Sequence, residues 1–155
     1  MGDRVWVEDV LAAPVAAVRV RLAPQDIARS FGTSLDKVWA FLRTEPGLRT
    51  DGHNIFIYHR KHDIDGDGKI EIDFGVQVVR SFAGAGDVLS TTSPAGRAAV
   101  SKHTGAYARI GEAHAAVRRW CAANGHELAG VDWEVYGDWT DDEAKLETHV
   151  YYLLR

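Results

Sequence analysis

Apolar and polar residues alternate over Val18-Arg19-Val20-Arg21-Leu22, the period of a strand with one buried face. The spacing then lengthens. Leu35, Val38, Trp39 and Leu42 recur at helical intervals behind Thr33 or Ser34, either of which predicts an N-cap, and Pro46-Gly47 predicts the stop. Period two returns in Asn54-Ile55-Phe56-Ile57-Tyr58 and in Ile70-Glu71-Ile72-Asp73-Phe74-Gly75-Val76, on either side of a polar turn, and so predicts a hairpin. The order then recurs. Arg97 to Val100 reads as a strand, and Ile110, Ala113, Val117, Trp120 and Cys121 as a helical stripe ended by Asn124-Gly125. Val131 to Tyr136 and Thr148 to Leu154 read as the second hairpin.

Laying the chain over itself with a shift of 78 positions aligns these elements without a gap. Arg19 falls on Arg97, Gly47 on Gly125, Gly52 on Gly130, Tyr58 on Tyr136 and Asp63 on Asp141. Repetition of this kind marks paired units that bury a shared surface. The expected fold is therefore α+β: two strand-helix-strand-strand halves related by a pseudo-twofold, with an antiparallel sheet, two main helices on one side and a ligand cleft. One domain over residues 1–155 divides into an N-terminal extension (1–17), a first half (18–82), a connector (83–95) and a second half (96–155).

Alternate strand residues share a face. In Asp132-Trp133-Glu134-Val135-Tyr136, Trp133 and Val135 form an apolar side expected to pack on the helices, leaving Glu134 and Tyr136 on the other. The shift of 78 places Phe56 with Glu134 and Tyr58 with Tyr136, and puts Ile55 and Ile57 on the core side. Thr148, Val150, Tyr152 and Leu154 match Ile70, Ile72, Phe74 and Val76 as the core side of the outer strands, so His149 and Tyr151 are expected beside Glu134. Glu134 is then an acid among aromatics, where the other half supplies Phe56. Such a surface favours flat, apolar cations by stacking and cation–π attraction, and burial of the carboxyl suits general acid or base work. The plainer alternative is a solvated Glu134 on an open sheet face beside exposed tyrosines. Trp39 and Tyr107 read equally as core residues or as pocket lining.

Asp63-Ile64-Asp65-Gly66-Asp67-Gly68-Lys69-Ile70 begins like a calcium loop, but position twelve is Phe74 where a bidentate carboxylate is required, and the flanks alternate as strands instead of helices. An Asp- and Gly-rich hairpin tip accounts for the same letters. The seven histidines are scattered without metal-ligand spacing, and no phosphate-binding, dinucleotide or nucleophile-elbow motif occurs, so neither a metal nor a cofactor is expected. With net charge −4 and no dense basic run, direct nucleic-acid binding is not expected. The lone Cys121 suits a reducing compartment and a small buried side chain. The acidic N-terminus, its apolar run broken by Pro14, fits neither a signal peptide nor a spanning helix. A cytoplasmic protein that does not enter the membrane is expected.

Pro94-Ala95-Gly96-Arg97-Ala98-Ala99-Val100, Gly105-Ala106-Tyr107, the helix ending Trp120 to Gly125, Trp133-Glu134-Val135-Tyr136 and Glu147-Thr148-His149-Val150-Tyr151 together resemble the second half of the GyrI-like family. That family includes stand-alone gyrase-inhibitor-like proteins and the effector-binding domains of AraC- and MerR-type multidrug regulators. The resemblance implies a pocket glutamate at Glu134 that reads cationic or polar groups, with Tyr107 at the pocket. It implies binding of small aromatic, cationic or amphipathic compounds. Two further activities within the family are hydrolysis of cyclopropanoid DNA-alkylating natural products, with Glu134 as general acid or base, and inhibition of a topoisomerase by protein contact. The 17 residues ahead of the first half are too few for a helix-turn-helix, and the Asp-rich tip matches no family motif.

Overall fold

The computed structural model describes residues 4–60 and 66–155. Its elements run β1 (Val5–Val10), β2 (Pro14–Leu22), α1 (Ile27–Thr44), β3 (Arg49–His59), β4 (Ile70–Val78), β5 (Val88–Thr92), β6 (Gly96–Thr104), α2 (Ile110–Ala123), β7 (Leu128–Tyr136) and β8 (Glu147–Leu154). The chain is thus α+β with antiparallel strands throughout, and the order strand, helix, strand, strand occurs twice: β2-α1-β3-β4 and β6-α2-β7-β8.

The chain forms two compact units, residues 12–93 and residues 1–11 with 94–155. In the first, the strands lie in the order β5-β2-β4-β3, and in the second β1-β6-β8-β7. Each unit therefore takes its edge strand from the segment that precedes the other unit's repeat. Val5–Val10, expected as part of an extension, pairs with β6, and Val88–Thr92, expected within a connector, pairs with β2. Short edge strands are easily hidden in stretches read as linkers.

Each helix covers one face of its own sheet. Val38 and Leu42 of α1 are fully buried over Ala16, Val18, Val76 and Val78, with Leu35, Trp39 and Phe41 packed around them. Ile110, Ala113, Val117 and Cys121 of α2 lie over Ala99, Val150, Tyr152 and Leu154, as their helical spacing predicts. The start of α1 differs from expectation. It begins at Ile27 after a 3-10 turn led by Pro24, a whole turn and more ahead of Thr33, and Ser34 is a buried interior residue. Proline at the first turn was the true start signal. The end of α2 follows the sequence reading: Gly125 adopts φ 72° and the His126 N–H reaches back to the Cys121 carbonyl at 2.9 Å, closing the helix with a Schellman-type turn.

The glycines matched by the shift also have a structural counterpart. Register is interrupted between Arg49 and Asn54 in β3 and between Leu128 and Asp132 in β7, the intervals that contain Gly52 and Gly130. No helix among the described residues is long and apolar enough to cross a membrane.

Candidate functional site

The register of β7 and β8 pairs Glu134 with Val150 and Trp133 with Tyr151. Val150 lies in the core beneath α2, so Glu134 faces that helix, and the sequence-based assignment of faces is reversed for the inner strands. Glu134 and Tyr136 point at α2, whereas Trp133 points away and stacks on Tyr151 with centroids 5.0 Å apart and planes 2° apart. His149 and Tyr151 therefore do not join Glu134. The cause is that β7 is buried on both sides: Trp133 is 3% exposed and Glu134 5%. Hydrophobicity identifies the core face only where the other face is wet.

Below α2 the Glu134 carboxylate sits in a continuous hydrogen-bonded chain. Its Oε1 accepts from the Tyr136 hydroxyl at 2.6 Å, and its Oε2 lies 2.6 Å from Nε2 of His114. The other ring nitrogen, Nδ1, lies 2.7 Å from the Tyr152 hydroxyl, which accepts from Arg118 at 2.9 Å. Asp132, 1% exposed, approaches His114 Nδ1 at 3.7 Å. The imidazole with its proton on Nε2 donates to Glu134 and leaves Nδ1 to accept from Tyr152. Outside this chain Tyr107, half-exposed in the 3-10 turn that leads into α2, meets Tyr136 edge-to-face at 5.3 Å. Burial pushes the Tyr107 phenol above its ordinary range. The hydroxyls of Ser101 and Thr148 are buried without a hydrogen-bond partner, and their strand pairing puts Ser101 across from Val150 and Thr148 between His103 and Tyr136.

His114 is the member of this hydrogen-bonded chain that sequence reasoning missed. The signal was present: it falls within the stripe Ile110, Ala113, Val117, Cys121, a polar side chain on an apolar face, where it is 8% exposed. Buried polar groups need partners, and the partners here are the acid and the tyrosines. Asp132 and Tyr152 were likewise passed over as strand residues.

The remaining candidates fall in the other unit. Phe56 and Tyr58 face α1, again opposite to expectation. Phe56 meets Phe31 of α1 at 5.7 Å and Phe74 of β4 edge-on at 4.8 Å. Arg60 lies over the Tyr58 ring at 5.1 Å. Trp39 packs against the core and donates its indole N–H to Asn54 at 3.2 Å. The structure thus brings Glu134, Tyr136 and Tyr107 together in one unit and Phe56, Tyr58 and Trp39 onto the helix face of the other. At the Asp-rich tip, Asp63 and Asp65 lie outside the described residues. Asp67 accepts from Arg21 and from the Lys69 N–H, while Phe74 is buried in the core. Among the described residues no group of three or more His, Cys, Asp or Glu side chains could hold a metal.

Comparison with known proteins completes the picture. A family model described as the GyrI-like small molecule binding domain matches residues 5–155. No curated protein sequence matches the chain. Among solved structures, the chain is similar to the C-terminal domain of EcmrR, with a TM-score of 0.80, 19% identity and coverage of 100% of this chain and 99% of that one. In a DNA complex of EcmrR the same similarity covers 57% of the longer chain. SAV2435 bound to tetraphenylphosphonium has a TM-score of 0.74 and 11% identity, over 98% of this chain and 94% of that one. A Listeria innocua protein described as a hydrolase, encoded by lin2189, has a TM-score of 0.60 and 10% identity, over 99% and 93%.

Proposed function

The chain belongs to the GyrI-like small-molecule-binding family, and from that premise we propose that it binds small aromatic organic cations through Glu134. The observation that carries this reading is a carboxylate only 5% exposed, hydrogen-bonded within a chain of aromatic side chains that includes Tyr136 and His114, with the Tyr107 ring packed on Tyr136. A buried acid attracts a ligand's positive charge, and the tyrosine faces supply stacking and cation–π contact. The net charge of −4 suits cationic ligands and weighs against direct contact with nucleic acid.

Isothermal titration with tetraphenylphosphonium, the ligand of the SAV2435 structure, tests the reading. Native protein should bind it, and Glu134→Gln should bind about tenfold more weakly, or about 1.4 kcal/mol. Equal affinity in the two proteins refutes the role of Glu134.

One observation favours a second reading, hydrolysis of a strained electrophile. The 2.6 Å contact between His114 and Glu134 is the geometry of an acid–base pair able to activate water. Incubation with a cyclopropane-bearing alkylator, followed by mass spectrometry, should then show addition of water by native protein and none by Glu134→Gln. Recovery of unchanged alkylator from the native sample defeats this second reading.

A further inference from the structure

Trp139, in the loop between β7 and β8, is the one tryptophan of the five that is mostly exposed, at 74%. An indole in water forgoes the burial that usually makes tryptophan worth having, and neither hydrophobic cluster of the described residues includes it. The chain on both sides fixes where it stands. β7 ends at Tyr136, and the Gly137 N–H donates to the Glu147 carbonyl at 2.8 Å. A Cβ at Gly137 would lie 3.0 Å from that carbonyl oxygen, so the strands close tightly at this point. Beyond Trp139, the Thr140 hydroxyl accepts from the Asp142 N–H at 3.3 Å, and the Asp142 carboxylate accepts from the Ala144 N–H at 3.1 Å. Asp138 and Trp139 therefore form a short span between two anchored points.

That span stands at the Tyr107 end of the Glu134 site. Three residues of chain keep the Cα atoms of Trp139 and Tyr136 within about 11 Å. Tyr136 is the residue whose hydroxyl reaches Glu134 and whose ring meets Tyr107. The Gly105 N–H donates to the Leu146 carbonyl at 2.8 Å, which holds the segment leading to Tyr107 at the foot of the same loop. The loop also carries Asp138, Asp141, Asp142 and Glu143 against the single base Lys145, a balance that favours an approaching cation. Among the described residues of this unit, the large apolar side chains left exposed are Leu11, Tyr107 and Trp139. Three side chains fall short of the patch that a protein partner needs. Two of them, Tyr107 and Trp139, flank one end of β7.

We propose that Trp139 is an outer binding residue of the Glu134 site, an inference that rests on the binding reading above. One aromatic arm of the ligand lies against Tyr107 and Tyr136 beside Glu134, and a second arm extends past Tyr107 and stacks on the indole. The ligand class is thereby narrowed to organic cations with more than one aromatic arm. A cation with a single ring occupies the inner part of the site and leaves Trp139 in water.

The test uses the full chain as native protein, Trp139→Ala and Trp139→Phe, with tetraphenylphosphonium as the many-armed probe and phenyltrimethylammonium as the one-ring probe. Trp139→Ala should bind tetraphenylphosphonium about fivefold more weakly, the worth of one aromatic pair, while Trp139→Phe keeps most of the affinity. Phenyltrimethylammonium, followed by NMR titration so that weak binding is still read, should bind all three proteins alike. Urea unfolding of Trp139→Ala should match native, as befits a side chain this exposed. Bound tetraphenylphosphonium should also shield native tryptophan fluorescence from acrylamide, and that shielding should be absent in Trp139→Phe. Equal tetraphenylphosphonium affinity in native protein and Trp139→Ala overturns the proposal, and so does an equal loss for both probes. If in that case Glu134→Gln still weakens the cation, the binding reading stands and the outer residue alone is refuted. Failure of folded native protein to bind tetraphenylphosphonium at all overturns both.

Discussion

The two units share one strand–helix–strand–strand plan and distribute their chemistry in opposite ways. In the unit built on α2, the helix face carries the polar chain Arg118–Tyr152–His114–Glu134–Tyr136, and the face away from the helix carries the Trp133–Tyr151 stack. In the unit built on α1, the helix face carries the aromatic cluster Phe31–Phe56–Phe74. Its far face carries charge: Asp73, 1% exposed, accepts from Arg19 at 2.7 and 3.0 Å and lies 3.0 Å from His59. The positions correspond across the shift of 78, since Glu134 matches Phe56 and Tyr151 matches Asp73. Of the three buried carboxylates among the described residues, Asp73, Asp132 and Glu134, the first and the last have contrasting surroundings in the two units. Asp73 is tied by a bidentate guanidinium, the arrangement that fixes structure, whereas the hydrogen bonds of Glu134 run to a histidine and a tyrosine.

The largest effect should come from the aromatic side of this contrast. Phe56→Ala removes a ring that is 6% exposed and packed on two others, and should cost about 3–5 kcal/mol in urea unfolding. A loss below about 1 kcal/mol would mean that the cluster is loosely packed and that the two units differ less than their contacts indicate. Next comes Arg19→Met, which leaves Asp73 buried with His59. Arg19 is itself more than a third exposed, so the expected loss is about 2 kcal/mol, toward the lower end for a broken buried pair, with ligand affinity unchanged. Asp73 also carries a pH signature. Burial by itself pushes its carboxyl up, but the hydrogen bonds from His59 and Arg19 outweigh burial and hold it below the ordinary range. Its contribution is therefore complete above the unfolded value, about 3.9, and is lost as pH falls through the lower folded value. Asp73→Asn should flatten that part of the acid limb of stability, and an unchanged acid limb would remove Asp73 from its causes.

The repeat and the element order were legible because period, helix stops and paired glycines are local properties of the chain. The helical stripe of α2 and the core side of β8 were legible for the same reason. Three things were not. The edge strands β1 and β5 were taken for extension and connector, because a strand's partner is set by long-range pairing that composition does not reveal. The start of α1 was placed at Thr33 or Ser34, two good capping residues, and Pro24 went unread as a start, whereas Ser34 is buried in the helix interior. The face of β7 was reversed, because alternation separates residues into two sets without saying which set meets the helix. Glu134 is the odd residue of the repeat; of its expected companions Tyr136 and Tyr107 gather with it, whereas His149 and Tyr151 lie on the other face. His114 could have corrected this, as a polar residue in an apolar helical stripe predicts a polar partner on the sheet beneath it.

Function should separate the two carboxylates where stability does not. Glu134→Gln should change unfolding less than Arg19→Met, because the amide can still accept from His114 or Tyr136, yet it should weaken tetraphenylphosphonium binding about tenfold. Were Asp73→Asn to weaken the cation as much, the division into a structural and a ligand-reading acid would be wrong. The smallest effect expected is that of Tyr107→Ala. This ring is 38% exposed and contacts Tyr136 edge-on, so its removal should alter stability by less than about 0.5 kcal/mol. A cation–π contact at a site this open is worth about 0.5–1 kcal/mol, which corresponds to a loss of roughly two- to fivefold in cation affinity. Triphenylphosphine oxide carries the same rings without the charge and should lose less. If both probes lost affinity equally, Tyr107 would act by shape alone, and reading of ligand charge would rest with Glu134.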